Sequence, residues 1–187
     1  VVEENELPDL LSAEAFAAST GRSVDASDPY VEAVVRAAGQ AVRAYCGWHV
    51  APSARMTLTI DYDGGNVVNL PSLSVSEIHG FEWCGRELSV SELEWSRSGL
   101  VRLPGACAPC YGGIRVDLTH GFSDAGGVVQ VVQQVAANAA ASLMGATREQ
   151  AGQVSVSWSQ TSPGVSGGVS LLDRDLVLLA PYRLVEA

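Results

Sequence analysis

Four cysteines and three histidines hold most of the chemistry this chain could perform. Cys107-Ala108-Pro109-Cys110 has the spacing of a redox dithiol or of half a metal site. A redox pair of this kind usually opens a helix, whose N-terminus stabilises the thiolate. Here the pair lies among Pro104, Gly105, Pro109, Gly112 and Gly113, between strand-like segments, so a hairpin loop with reduced thiols is the expectation. Zinc is the sharper alternative, because Cys84, Cys107 and Cys110 with either His79 or His120 would make four ligands. A second closely spaced ligand pair is missing. In an intracellular assembly a Cys107–Cys110 disulfide is expected only after release into an oxidising medium.

The other constellations are weaker. His120, Asp117 and a serine supply the residue types of a hydrolytic triad, but no Gly-x-Ser-x-Gly elbow accompanies them. Asp61, Asp63 and Asn66 surround Gly64-Gly65, yet the run is short of a calcium loop and lacks its closing Glu, so it reads as a turn. Trp48, Trp83, Trp95 and Trp158 have no neighbouring basic clusters and read as packing residues rather than base-stacking platforms. No catalytic, cofactor-binding or metal-binding set is assigned, and the chain is read as a non-enzyme.

Charge narrows the range of partners. The formal net charge is −10, and all 11 basic residues are Arg. Phosphate binding relies on clustered cations, so a nucleic-acid groove is disfavoured. The same acidity suits a surface past which DNA slides without sticking, since like charges repel over about 8 Å at physiological salt. The acidic start, Glu3, Glu4, Glu6 and Asp9, reads as a solvated tail, with a lumen-facing role as the sharper alternative. The longest uncharged stretch, Ala125 to Thr147, carries Gln130, Gln133, Gln134 and Asn138, whose amides are costly in lipid, so no membrane span is expected. The first residues lack the basic and apolar regions of a secretory signal, so synthesis in the cytoplasm is expected.

The elements that would position these residues follow from periodicity. Ser12 caps a short helix ending at Gly21. Asp28 and Pro29 open a second helix, Tyr30 to Cys46, closed by Gly47; Val31, Val34, Val35, Ala38, Val42 and Tyr45 form its apolar stripe. From Arg55 to Phe122 the period becomes two: Met56, Leu58 and Ile60, and later Ile114, Val116 and Leu118, alternate with polar residues. Asp63-Gly64-Gly65, Cys84-Gly85, Ser98-Gly99 and Gly112-Gly113 mark the turns. A third helix, about Gly127 to Met144 and ending near Gly145, is apolar around nearly its whole circumference. It is therefore either central to the fold or packed on a neighbouring subunit, and its small residues Ala136 to Ala141 favour a helix that does both. Val128, Val132, Val135, Ala139 and Leu143 are the expected packing residues between copies.

Beyond Gly152, Val154, Val156 and Trp158 alternate with serines, and a Ser/Pro/Gly stretch runs from Thr161 to Gly168. Ser170 with Asp173 suggests a capping box for a last short helix built on Leu171, Leu172, Leu176, Val177 and Leu179, before Pro181. The fold class is thus α+β: a small helical bundle core (1–54 and 123–152), an inserted antiparallel β subdomain (55–122), and an extended C-terminal arm ending in a short helix (153–187). Val154, Val156, Trp158, Leu171, Leu172, Leu176 and Tyr182 are the expected partner-docking residues. Deleting Gln153 to Ala187 is expected to weaken partner attachment more than it harms the fold.

The segment Ala44-Tyr45-Cys46-Gly47-Trp48-His49-Val50, the Leu70-Pro71 step, Leu93-Glu94-Trp95-Ser96 followed by Gly99-Leu100, Thr119-His120-Gly121-Phe122 before an Ala-rich helix, and the closing Leu171-Leu172-Asp173-Arg174-Asp175 through Pro181-Tyr182-Arg183-Leu184 together resemble the head-to-tail adaptor (connector) family of long-tailed bacteriophages. The resemblance covers most of the chain from Tyr30 onward and contains no catalytic motif. It implies a structural protein of the virion neck: a homo-oligomeric ring of twelve copies that binds the portal protein through an arm and receives a stopper or tail-side neck protein on its other side. Genomic DNA would pass through the lumen without sequence-specific binding. The Cys107 to Cys110 loop and the helix ending at Pro181 depart from the family pattern. The alternatives are another neck component, such as a stopper or tail-completion protein, and a small zinc-binding or redox protein using Cys107 and Cys110.

Overall fold

Backbone amides at the start of a helix lack partners, and the chain supplies side-chain acceptors where they are needed. Ser12 Oγ accepts from the Ala15 amide at 3.2 Å and opens α1 (Ala13–Ser19). Asp28 Oδ1 accepts from the Tyr30 amide at 2.9 Å and opens α2 (Pro29–Cys46). At the far end of α2, Gly47 turns the chain at φ +79°, a conformation that costs glycine nothing. This computed structural model describes residues 7–20, 24–141, 148–151, 154–157 and 169–185. Over these the protein is α+β, with four α-helices, antiparallel sheets and a short C-terminal helix.

Two compact units share the chain, and each is built from separated segments. One comprises Asp9–Tyr45 and Gly126–Pro181, the other Val1–Pro8, Cys46–Ala125 and Tyr182–Ala187. In the first, α2 buries Val31, Val34, Val35, Ala38 and Val42, the face its spacing marks out. Helix α3 (Gly126–Ala141) buries Val128, Val131, Val132, Val135 and Ala136 almost completely. The Tyr30 hydroxyl of α2 reaches the Ala139 carbonyl of α3 at 3.5 Å. The expected end of the third helix, from residue 142 to Gly145, lies outside the described residues.

Helix α4 (Asp173–Leu179) runs against α3. Its start differs from the expected Ser170/Asp173 box: Leu172 occupies the cap position, and its amide donates to Asp175 Oδ2 at 3.0 Å. The Asp175 carboxylate is 2% exposed and does the capping from within the first turn. The sequence offers an acid at both positions, and burial selects the second.

The second unit is the β unit. Strands β1 (Ala54–Tyr62), β2 (Val67–Asn69), β3 (Val75–Trp83), β4 (Arg86–Leu88), β5 (Glu94–Trp95), β6 (Leu100–Arg102) and β7 (Cys110–His120) form two antiparallel sheets, ordered β1-β7-β3-β4 and β2-β6-β5. The long strand β7 sits between β1 and β3, so Leu58 lies opposite Val116 and Ile78 opposite Leu118. Met56, Leu58, Phe81, Ile114, Val116 and Leu118 from the larger sheet share one core with Val68 and Val101 from the smaller. Gly112-Gly113, expected as a turn, lies inside β7 where the register with β1 shifts between Ile60 and Tyr62. A Cβ at Gly113 would stand 2.9 Å from the Tyr62 Cβ, so the glycine marks a crowded bulge instead of a reversal.

Within the first unit, β8 (Arg148–Ala151) and β9 (Val154–Ser157) pair as a two-stranded antiparallel sheet. Strand β9 carries the expected Val154/Val156 alternation, while β8, polar in sequence, gave no sign of itself. Among the described residues no helix is long and apolar enough to cross a membrane.

Candidate docking surfaces and the cysteine cluster

The residues expected to pack between copies fall into two groups. Val128, Val132 and Val135 have no exposed surface in the single chain, and Ala139 is 6% exposed. A side chain with no accessible surface cannot touch a neighbour, so these positions serve the chain's own core, and α3 is central to the fold along this face. More open positions on this helix include Val129, Gln130, Gln133, Gln134, Ala137, Asn138 and Ala140. Leu143 lies outside the described residues.

Among the expected docking residues, Val154 and Val156 lie on β9, and Trp158 lies outside the described residues. Leu171, Leu172 and Leu176 are half-buried. Tyr182 is not free to reach out: its ring meets Phe122 edge-on at 5.4 Å, and its carbonyl accepts from Trp48 Nε1 at 2.7 Å. Two residues on, the Leu184 amide donates to the Cys46 carbonyl at 2.9 Å. Residues Tyr182 to Leu184 are therefore tied into the β unit by contacts that a deletion of Gln153 to Ala187 would also remove.

The apolar surface that does face outward on α4 is Val177, 73% exposed, with Leu178, 42% exposed. Beside them, Gln130, Val131 and Gln134 of α3 and Arg174 and Asp175 of α4 line an open groove of about 530 Å³. Helical register accounts for Val177: positions 175 and 179 point inward, so 177 lies on the opposite face, while Leu178 sits at the edge of the inward face and is less open.

Chemistry-bearing residues are distributed in a way that separates most of the constellations read from sequence. Asp117 and His120 lie on opposite faces of β7, as their odd spacing requires, so they form no triad. Asp117 instead makes a two-pronged pair with Arg55, at 3.0 and 2.5 Å, which holds its carboxyl below the ordinary carboxylate range. His120 is 1% exposed beside Trp48 and His49, with neither ring nitrogen hydrogen-bonded. Burial, helped by the neighbouring His49, pushes its pKa down to about 4. Asp61 Oδ1 accepts from the Gly112 amide at 2.7 Å and Asp63 Oδ1 from Gly65 at 3.0 Å, so both carboxylates cap turns.

Three cysteines do converge. Cys84 Sγ lies 2.8 Å from Cys107 Sγ and 3.0 Å from Cys110 Sγ. Neither histidine joins them: His79 Nε2 meets Thr119 Oγ1 at 2.7 Å, and His120 is the opposite end of β7 from Cys110. Ten residues of strand separate those ends by roughly 30 Å. The four-ligand set drawn from the sequence is not brought together, and no group of three or more potential ligands among the described residues has the geometry of a metal site.

Neither a protein-family model nor a curated protein matches the chain. Solved structures do. A chain in the neck of a native GTA particle, computed with C12 symmetry, superposes with a TM-score of 0.52 at 15% identity, covering 97% of this chain and 96% of that one. A chain in the neck of an empty GTA particle, computed with C6 symmetry, gives 0.52 at 16% identity over 95% and 91%. A chain from the virion of a native gene transfer agent particle gives 0.53 at 16% identity, again over 95% and 91%. At these identities the likeness is one of fold, and it runs through nearly the whole of each chain.

Proposed function

We propose that this chain is a structural subunit of the neck of a phage-like particle, and within the neck the head-to-tail adaptor: a ring protein that binds the portal, presents a docking surface to the next neck protein and lets DNA pass through its lumen. The observation that carries the reading is the end-to-end fold likeness to chains from particle necks, one computed with C12 symmetry. The adaptor motifs spread from Tyr30 to Leu184 support the finer assignment. So does the chemistry: a net charge of −10 without a lysine suits a channel wall better than a DNA grip. The ring would be a homo-oligomer of twelve copies in the virion, made in the host cytoplasm.

Partner contact then belongs to surface that stays open in the folded chain, Val177 and Leu178 with the α3/α4 groove, in place of the buried α3 valines. Purified protein mixed with purified portal tests this. An adaptor co-sediments with portal with no third component. A stopper or tail-completion protein binds only after another neck protein has occupied the portal, and that result would reassign the chain within the neck.

A further inference from the structure

The cysteine cluster is a feature the neck reading does not use, and its geometry is specific. Cys84 lies in the two-residue turn between β3 and β4, with φ +49° at Cys84 and +76° at Gly85, the left-handed pair that a tight hairpin requires. Its amide donates to the Gly113 carbonyl at 2.7 Å, which fixes the turn over β7. Cys107 is held from the other side: its amide donates to the Tyr62 hydroxyl at 3.2 Å, and that hydroxyl donates to the Gly65 carbonyl at 2.7 Å. Cys110 begins β7, paired with Tyr62. The Cys107 and Cys110 thiols are thus set beside the Cys84 sulfur by backbone hydrogen bonds and strand pairing.

Separations of 2.8 and 3.0 Å fit one of the available chemistries better than the other. Two thiolates on one tetrahedral zinc, each about 2.3 Å from the ion, stand about 3.8 Å apart, so a metal would have to push both pairs open. A disulfide needs only one of the two pairs to close to about 2.05 Å, whereas a metal needs both to open by a comparable distance. Cys84 is the common member of both short pairs. Its thiol, hydrogen-bonded to Cys107 and Cys110, is pushed up to about 12 and so is a poor attacking thiolate.

We propose that Cys84 forms a disulfide with Cys107 or Cys110, exchangeable between the two, that staples the β3–β4 turn to the loop leading into β7. With a small-molecule disulfide such as oxidised glutathione as oxidant, a thiolate of Cys107 or Cys110 attacks one glutathione sulfur and expels one glutathione thiolate. The Cys84 sulfur then attacks the protein sulfur of that mixed disulfide, gives up its proton to solvent and expels the second glutathione. Two protein thiols lose two electrons and two protons, and one glutathione disulfide becomes two thiols. The third cysteine can displace either partner of Cys84, so the bond can migrate. This site differs from the Cys107–Cys110 bridge that the CxxC spacing alone suggests.

Peptide mapping of the whole protein decides it. Cleavage after Arg55, Arg86, Arg102 and Arg115 leaves Cys84 on the fragment Met56–Arg86 and both other thiols on Leu103–Arg115. Protein equilibrated with oxidised glutathione, blocked by alkylation and digested should yield these two fragments covalently joined, with one alkylated cysteine on Leu103–Arg115 and a loss of two hydrogens. Buried Cys46, whose thiol is pushed up to about 11 chiefly by burial, should stay reduced. Closing a loop of this length should raise the unfolding midpoint by roughly 5–10 °C, and C84S should abolish both the joined fragments and the shift. A bridge confined to Leu103–Arg115, a stable glutathione adduct, or thiols that react only after a chelator strips bound metal would each overturn the proposal.

Discussion

The indole nitrogen of Trp48 and the backbone carbonyl of Tyr182, 134 residues apart, are joined by a 2.7 Å hydrogen bond. Trp48 directly follows the glycine that ends α2, and Tyr182 ends the turn that follows α4. The bond therefore ties two sequence-distant segments of the β unit together. Phe122 completes the clamp, its ring edge-on to both Trp48 and Tyr182.

Truncation tests that clamp. Ending the chain after Pro181 removes the acceptor of a buried indole and the aromatic edge contact, which together should cost about 2–4 kcal/mol. Tyr182→Ala keeps the carbonyl and should cost roughly half as much. Denaturant unfolding of the two variants gives the comparison. Equal stability of the truncated and full chains would mean that the clamp carries no weight.

Acid should loosen the same region. His120 is held neutral with a pKa of about 4, below its ordinary value of 6.5, so the unfolded chain binds a proton more readily than the folded one. Its contribution is complete above pH 6.5 and is lost as pH falls toward 4, to the extent of about 3 kcal/mol. His120→Phe should flatten this part of the stability profile relative to the parent. Parallel profiles for the two proteins between pH 6.5 and 4 would contradict the assignment.

The division of α3 and α4 into core and surface predicts opposite phenotypes. Val132→Ala removes two buried methyl groups and should cost about 2 kcal/mol in stability. Val177→Ser with Leu178→Ser should change stability by less than about 1 kcal/mol and yet weaken portal binding at least tenfold. Thermal melts and co-sedimentation read the two effects separately. A surface double variant that binds portal normally would move the docking site elsewhere.

Sequence periodicity was sufficient for the long elements, because a face buried on one side leaves a repeat. Helix α2 buries five of the six residues of its stripe, Tyr45 being only half-buried, and β7 buries Ile114, Val116 and Leu118 as their alternation requires. Composition alone could not resolve α3, where valine and alanine cover all sides and only packing tells which face is inside. Short strands were also hidden: β5 and β6, at two and three residues, are held by their neighbours' pairing and not by a pattern of their own. Gly112-Gly113 misled because a crowded bulge and a turn select the same residue.

Site residues were legible to a different degree. The cysteines were identifiable by type, but spacing pointed to Cys107 with Cys110, whereas the fold brings Cys84, more than twenty positions earlier, into contact with both. That juxtaposition depends on the β3–β4 turn landing over the start of β7, which is a matter of sheet order. Likewise Tyr182 looked available as an exposed aromatic near the terminus until its partners Phe122 and Trp48 were in view.

We propose that this chain assembles as a ring on a portal. Electron microscopy of the purified protein mixed with its cognate portal, with rotational symmetry and subunit mass measured on the complex, tests it most directly. The account predicts a closed ring of twelve copies seated coaxially on the portal, with an open lumen wide enough for duplex DNA. A protein that stays monomeric and leaves the portal bare across micromolar concentrations would contradict it.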